Sequence, residues 1–298
     1  MIAHDVLRAE TNEIMVAGGM ESMTNAPYIL QKARSGQRLG HGEMSDHMFL
    51  DGLEDVYEKG TLMGVFAERT ARSYGFTRKE QDEFAIRSLT RAKTAILDGS
   101  FKEEITPVSF QDRKGETVVE QDEQPLSANL EKIPRLRPAF EKEGTVTAAN
   151  SSSISDGAAA LVMMSESTAK KKGVTPLARI LGHSSFAQSP DWFTTAPIGA
   201  IKKLLEKVGW ATNDVDLFEI NEAFATVTMA AMKDLKLPAE KVNIHGGACA
   251  LGHPVGASGT RILVTLISAL RKYDKTHGVA GLCIGGGEAT AMAVEVLS

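Results

Sequence analysis

The sequence predicts an α/β fold with helices flanking a sheet, and three observations carry that prediction. From Gly144 to the C-terminus, short apolar runs alternate with segments of helical periodicity. Those helical segments each keep one apolar face: Ile198, Ile201, Leu204, Leu205 and Val208 fall together before Gly209. A weak internal repeat is the third sign. Val16-Ala17-Gly18-Gly19-Met20-Glu21-Ser22-Met23 parallels Cys283-Ile284-Gly285-Gly286-Gly287-Glu288-Ala289-Thr290-Ala291-Met292. Both stretches follow a helix and turn at a glycine pair with a glutamate shortly after. Short glycine-containing similarities also arise by chance, so the repeat carries little weight alone.

Taken in order, Met1 to Ala9 reads as a helix through its apolar positions 2, 3, 6 and 7, and Glu13–Ala17 as a strand ending at Gly18-Gly19. Residues 27 to about 76 are rich in Gly, Met, His and charge with weak periodicity, which reads as loop. A helix follows: Thr77 and Glu80 form a capping-box pattern, Phe84, Ala85, Ala92, Ala95 and Ile96 are its apolar positions, and Gly99 stops it. Ile105–Phe110 and Glu116–Val119 read as short strands. Then come a strand over Ala158–Met164, a capped helix over Ser165–Lys172, a strand over Leu177–Leu181 and the helix closed by Gly209. Leu217–Ile220 is a strand feeding a helix over Glu222–Leu235. The helix Ala257–Lys272 keeps Ile262, Leu263, Leu266, Ile267 and Leu270 on one side, and Gly281–Ile284 and Ala291–Leu297 close the chain as strands.

At 298 residues the chain has length for roughly two domains. Its net charge of −5 argues against nucleic acid or an anionic membrane as partner. A phosphate-bearing ligand would need a local basic patch, for which Lys32/Arg34/Arg38, Lys132/Arg135/Arg137 and Lys170-Lys171-Lys172 are candidates that also read as solvated faces. Two cysteines, Cys249 and Cys283, make no disulfide framework and fit a reducing compartment. No apolar run approaches the roughly 18 residues of a membrane span, and residues 1–15 lack a signal-peptide layout, so a cytoplasmic location is expected.

Three positions invite a chemical reading. Asn221 directly follows the strand Leu217–Ile220, at the carboxyl edge where α/β folds bind ligands. It reads first as a helix N-cap, for which Asn is well suited. His253 lies among Gly246, Gly247, Gly252, Gly256 and Gly259, which let backbone approach a ligand closely, and a helix starts just beyond. Cys283 ends a short apolar strand before three glycines. A free cysteine is often only a small buried apolar residue. Beside a glycine turn it is well placed for reaction, and a neighbouring histidine would lower its pKa from about 8.5. His245 and Cys249 lack such surroundings and read as structural.

Asn221-Glu222-Ala223-Phe224, Gly252-His253-Pro254 and Cys283-Ile284-Gly285-Gly286 occur in that order, each at a strand or loop edge. Together they resemble the thiolase family, and the resemblance extends over essentially the whole chain. Gly18-Gly19-Met20-Glu21-Ser22-Met23, Arg137-Pro138-Ala139-Phe140, Gly144-Thr145-Val146-Thr147-Ala148 and Asp156-Gly157-Ala158-Ala159-Ala160 also look like family segments. The resemblance implies a fold of two similar βα halves stacked face to face, with an inserted loop domain. The expected division is a truncated N-terminal half over 1–166, its loop domain about 27–152, and a C-terminal half over 174–298.

The resemblance implies acyl transfer: Claisen condensation of two acetyl-CoA to acetoacetyl-CoA, and the reverse thiolysis. No cofactor is implied, coenzyme A thioesters being the substrates, and a homo-oligomer, dimer or tetramer, is expected. By this resemblance His253 deprotonates a nucleophilic cysteine and Cys283 shuttles the proton. His253 and a water fixed by Asn221 hold the enolate oxygen, and the N–H of Gly285 helps hold the acyl-enzyme carbonyl. Ala148, Ser152, Ala223 and Phe224 line the pantetheine arm, with Leu53, Met63, Ala139 and Phe140 from the loop domain. The nucleophile itself is expected about two helical turns upstream of Met1, outside this sequence, so the chain alone is expected to be inactive. Two departures stand out: Leu62, where short-chain members often carry histidine, and Leu126, where many carry arginine. The alternatives are a longer-chain 3-ketoacyl-CoA thiolase, with the pocket near Met63, Phe193 and Phe224 decisive, or a non-catalytic fragment.

Overall fold

The computed structural model describes residues 1–113 and 115–297. The chain runs α1 (Ile2–Arg8), β1 (Ile14–Ser22), β2 (Tyr28–Leu30), β3 (Met44–Asp46), α2 (Met63–Tyr74), α3 (Arg78–Leu97), β4 (Val108–Asp112) and β5 (Gly115–Val119). It continues through α4 (Glu123–Ser127), β6 (Asp156–Met164), α5 (Glu166–Lys172), β7 (Ala178–Ala187), α6 (Ala196–Val208), β8 (Leu217–Ile220) and α7 (Ala225–Leu235). The last elements are α8 (Ala248–Leu251), α9 (Val255–Lys272), β9 (His277–Ile284) and β10 (Glu288–Val296).

The main sheet has the order β7-β10-β9-β8, with β8 parallel to β9 and the other pairs antiparallel. Strand alternation splits its core into two faces. Phe218, Ile220, Val279, Ala289, Ala291 and Ala293 pack against Ile198, Ile201, Leu204 and Leu205 of α6. Leu217, Ala280, Met292 and Val294 pack against Ile262, Leu266, Ala269 and Leu270 of α9. On its other side α9 packs on a second, two-stranded sheet in which β1 and β6 pair antiparallel from Ile14↔Met164 to Ser22↔Asp156. The apolar stripe of α9 thus faces one sheet and its small residues the other.

The capping box at α3 forms as the sequence predicts: Glu80 N–H donates to the Thr77 hydroxyl at 3.2 Å, and Thr77 N–H donates to the Glu80 carboxylate at 2.7 Å. Ser165 likewise caps α5, and Gly209 ends α6 in the left-handed conformation.

Four expectations are corrected. The stretch read as loop contains α2, whose Phe66, Ala67 and Ala71 are buried; its flanks, rich in charge and glycine, conceal a 12-residue helix. β1 does not end at Gly18-Gly19 but runs through them to Ser22, so the repeat's first glycine pair is mid-strand and only Gly285-Gly286-Gly287 makes a turn. The reason is close packing: a Cβ at Gly19 would lie 1.8 Å from the carbonyl oxygen of Gly256 on α9. The strand predicted at Leu177–Leu181 extends to Ala187, because Ser184 and its neighbours pair with β10. The helix predicted from Glu222 starts only at Ala225, with Phe224 as its N-cap, so Asn221 is not a cap. β1 and β6 are covered on one face only, which leaves Val16, Met20 and Val162 exposed. No helix among the described residues is long and apolar enough to cross a membrane.

Candidate active site

The site forms where β8 and β9 end side by side. These strands are parallel, with Ile220 opposite Gly281, and Asn221 N–H donates to the Gly281 carbonyl at 3.0 Å. That bond carries Asn221 one residue past the sheet, to the edge where Cys283 also lies. The Asn221 side chain is buried. Its Nδ2 meets His253 Nε2 at 3.3 Å, and its Oδ1 has no partner among the described residues.

His253 is held from its other side. Its Nδ1 is 2.5 Å from Ser258 Oγ, and the Ser258 hydroxyl also reaches the Pro254 carbonyl at 3.0 Å. The carbonyl can only accept, so the serine donates to it and accepts from Nδ1–H. The imidazole is therefore assigned the Nδ1–H tautomer, and Nε2 carries the lone pair toward Asn221. Burial first, and then the positive charge of Arg261, push the His253 pKa down to about 4. A neutral imidazole with an unprotonated Nε2 has a lone pair that can accept a proton. Sequence reasoning missed Ser258, which sits among small residues and signals nothing beyond a hydroxyl in the first turn of α9.

Cys283 departs from expectation. It is buried in an apolar cluster with Phe66, Ala67, Val146, Phe193, Ala223, Phe224 and Val227, flanked by Met63 and Phe140. Burial pushes its thiol from the ordinary 9.0 up to about 12, the reverse of the lowering a neighbouring histidine would produce. The thiol is packed, not open beside the glycine turn, and stays protonated. Cys249 is buried and raised well above its ordinary value, as a structural cysteine.

The same cluster assembles Met63, Phe140, Ala223 and Phe224 with Cys283, and Phe193 joins them, stacked edge-on against Phe66. Phe140 and Phe224 also meet edge to face. Ser152 donates both its N–H and its hydroxyl to the Ala223 carbonyl at 3.0 Å, tying that wall in place. Gly285 abuts Met63, whose sulfur would lie 3.1 Å from a Cβ at Gly285. Ala139, Ala148 and Leu53 are not among the cluster's packed residues. Ala139 and Ala148 are exposed, although Ala139 N–H reaches the carbonyl of Val146 in the cluster. Leu53 is half-buried in a short π-helical turn, Phe49–Leu53. Leu62 is the N-cap of α2 and so fixes the entry of Met63, while Leu126 is partly exposed. The sequence missed Phe66 and Val227, whose only signal is helical spacing from Met63 and Phe224, and Val146, which lies in neither a helix nor a strand.

Beneath the site, Glu222 is fully buried and accepts from Ser88 Oγ at 2.7 Å, Asn243 Nδ2 at 2.8 Å and Cys249 N–H at 3.1 Å. Three donors offset the cost of burying this carboxyl and lock the loop carrying Asn221 against the segment leading to His253.

Residues 1–167 match the thiolase N-terminal domain and residues 174–296 the thiolase C-terminal domain. Fold and site thus define the class: the chain belongs to the thiolase family, whose members are acyltransferases. Among its relatives is an acetyl-CoA acetyltransferase of Escherichia coli (strain K12), 49% identical over 299 residues, covering 100% of this chain and 76% of that protein. Another is an acetyl-CoA acetyltransferase of Thiocystis violacea, 49% identical, covering 96% of this chain and 73% of the relative. The fold matches the crystal structure of the Bacillus anthracis acetyl-CoA acetyltransferase with a TM-score of 0.96 and 45% identity, over 100% of this chain and 75% of that one. Human mitochondrial 3-ketoacyl-CoA thiolase aligns with a TM-score of 0.95 at 36% identity, over 99% of this chain and 75% of that one. The chain spans about three quarters of the length of these proteins.

Proposed function

We propose that this chain provides the proton-transfer part of an acetyl-CoA C-acetyltransferase site, acting on acetyl-CoA and acetoacetyl-CoA. The observation that carries the reading is the contact of Asn221 with His253 at the strand end that also holds Cys283. Neutral His253, with Nε2 unprotonated, takes the proton of the attacking thiol. Protonated Cys283 serves as the acid that returns a proton to the leaving acetyl-CoA carbon in thiolysis, and in the reverse direction the thiolate so formed takes a proton from that carbon. The open Oδ1 of Asn221 fixes a water that, with His253, faces the enolate oxygen, and Gly285 N–H supports the acyl carbonyl. Met63, Phe140, Ala223 and Phe224 line the acyl and pantetheine path, with Ser152, Ala148, Ala139 and Leu53 further along it. No resident cofactor or metal is needed for these steps, and assembly as a dimer or tetramer in the cytoplasm belongs to the same reading.

Neither cysteine here fits the role of nucleophile, since burial raises both thiols and Cys283 is assigned the proton transfer. The acyl-carrying thiol is therefore proposed to come from residues not among these 298. The test is thiolysis of acetoacetyl-CoA by the 298-residue chain, alone and after mixing with the N-terminal quarter of the Escherichia coli relative. Activity that arises only in the mixture supports the proposal. Activity of the chain alone within tenfold of the intact relative, or none in a mixture that associates, overturns it.

A further inference from the structure

Away from this site, three side chains converge where the first helix meets the main sheet. His4 and Asp5 on α1 and His183 on β7 present Nδ1, a carboxylate oxygen and Nε2, all within 4.8 Å of one another. Asp5 Oδ1 lies 2.8 Å from His183 Nε2 and 3.2 Å from His4 Nδ1. The two rings meet edge to face with centroids 5.1 Å apart. Consecutive helical residues ordinarily point about 100° apart. The convergence of His4 and Asp5 on one strand residue is therefore a particular arrangement, not a consequence of helix geometry.

Donor atoms bound about 2.1 Å from one metal ion are about 3.0–3.4 Å apart at octahedral or tetrahedral angles. The separations of 2.8 and 3.2 Å are close to that spacing, and a small turn of either ring supplies the rest. The imidazoles are mostly shielded, their side chains 19% and 13% exposed, while Asp5 is 62% exposed and leaves a path for an ion and its waters. Each ring can move its N–H to the other nitrogen, so ligation removes no proton from a neutral imidazole. Two imidazoles and one carboxylate suit Zn²⁺, Ni²⁺ or Co²⁺, whereas Mg²⁺ and Ca²⁺ prefer oxygen ligands throughout.

We propose that His4, Asp5 and His183 bind one divalent transition-metal ion, of which Zn²⁺ is the type, as a clip between α1 and β7. The clip joins positions 178 residues apart in sequence and ties the first helix to the C-terminal sheet. Equilibrium dialysis of the 298-residue chain against Zn²⁺, and against Co²⁺ with its visible absorption, tests this. One equivalent is expected to bind, with none of Mg²⁺. His4→Ala, Asp5→Asn and His183→Ala are each expected to weaken it by about tenfold or more, and amide exchange in α1 to slow severalfold with Zn²⁺. His183→Gln, of similar reach and polarity, serves if the alanine variant misfolds. Two further pairings of histidine with carboxylate, His47 with Asp51 and His277 with Glu295, are the internal controls. Unchanged binding in the three variants, loss on replacing His47 or His277 instead, or no stoichiometric binding at all would overturn the proposal.

Discussion

Asn221 Nδ2 lies 3.3 Å from His253 Nε2, and this contact fixes the chemical state of the histidine. The amide nitrogen can only donate, so Nε2 must accept, and the Ser258 hydroxyl on the far side accepts a hydrogen bond from Nδ1–H. Sheet, loop and helix thereby set one tautomer. The Asn221 backbone is anchored to Gly281, two residues before Cys283 on β9, so the same short strand end places Asn221 and Cys283, while the loop before α9 brings His253 to them.

The first prediction separates the roles of two residues in protein complemented by the N-terminal quarter of a relative. Cys283→Ala should lower carbon–carbon bond formation by at least about 10³-fold while leaving acetylation of the nucleophile within tenfold. His253→Ala should slow acetylation itself by about 10²-fold or more. Ser258→Ala, which releases the Nδ1 side, should lower both steps about tenfold with KM little changed. Rapid-quench acetylation alongside steady-state condensation measures all three. Equal losses in both steps for Cys283→Ala would sink the division.

The second prediction concerns the thiols. Burial raises Cys283 to about 12 and Cys249 well above its ordinary 9.0, whereas both titrate near 9 once unfolded. A folded pKa above the unfolded one contributes stability that is complete below pH 9 and is lost as pH rises toward 12. The free energy of unfolding should therefore fall over that range, by about 1.4 kcal/mol per pH unit for Cys283, with Cys249 acting in the same direction. Cys283→Ala should flatten the slope. At pH 8, alkylation of native protein should be at least about 100-fold slower than of free cysteine. Fast modification of Cys283 at pH 8 would show that the thiol is not held in its protonated form.

Much of this molecule was legible in the sequence because local chemistry and tertiary role agree. Thr77 and Glu80 announce α3, Gly209 ends α6, and Asn221 and His253 stand at strand and loop edges that topology brings into contact. What was not legible depends on neighbours distant in sequence. Gly18 and Gly19 read as a turn, but they are strand residues, crowded by the backbone of Ala159 at Gly18 and of Gly256 at Gly19. Met63–Tyr74 read as loop because its flanks dominate the composition, although Phe66 is held by Phe193 more than a hundred residues away. The acidity of Cys283 depends on Phe66, Val146 and Phe224, whose proximity no spacing along the chain reveals.

A third prediction tests the approach of helix to strand. An added methyl at Gly19 would fall 1.8 Å from the Gly256 carbonyl oxygen, and backbone cannot yield as a side-chain tip does. Gly19→Ala should destabilise the chain by about 2–4 kcal/mol in urea. Gly52→Ala, whose methyl would meet open space, should change it by less than about 0.5 kcal/mol. Similar midpoints for the two variants would mean that α9 shifts freely over β1.

The last prediction follows from the uncovered face of the β1–β6 pair. Val16, Met20 and Val162 are 70%, 76% and 66% exposed, on a sheet of two strands whose outer edges pair with no other strand among the described residues. Apolar faces and free edges of this kind promote association. The main sheet, by contrast, is packed by α6 on one side and α9 on the other. In the 298-residue chain, amide protection should therefore be lower in residues 14–22 and 156–164 than in residues 277–296, by at least about tenfold. The triple variant Val16→Thr, Met20→Lys, Val162→Thr should reduce binding of a hydrophobic dye and shift sedimentation toward the monomer, with the far-ultraviolet spectrum unchanged. Equal protection in both sheets, or a parent chain that is already monomeric and binds no dye, would mean that this face is covered by contacts other than those described.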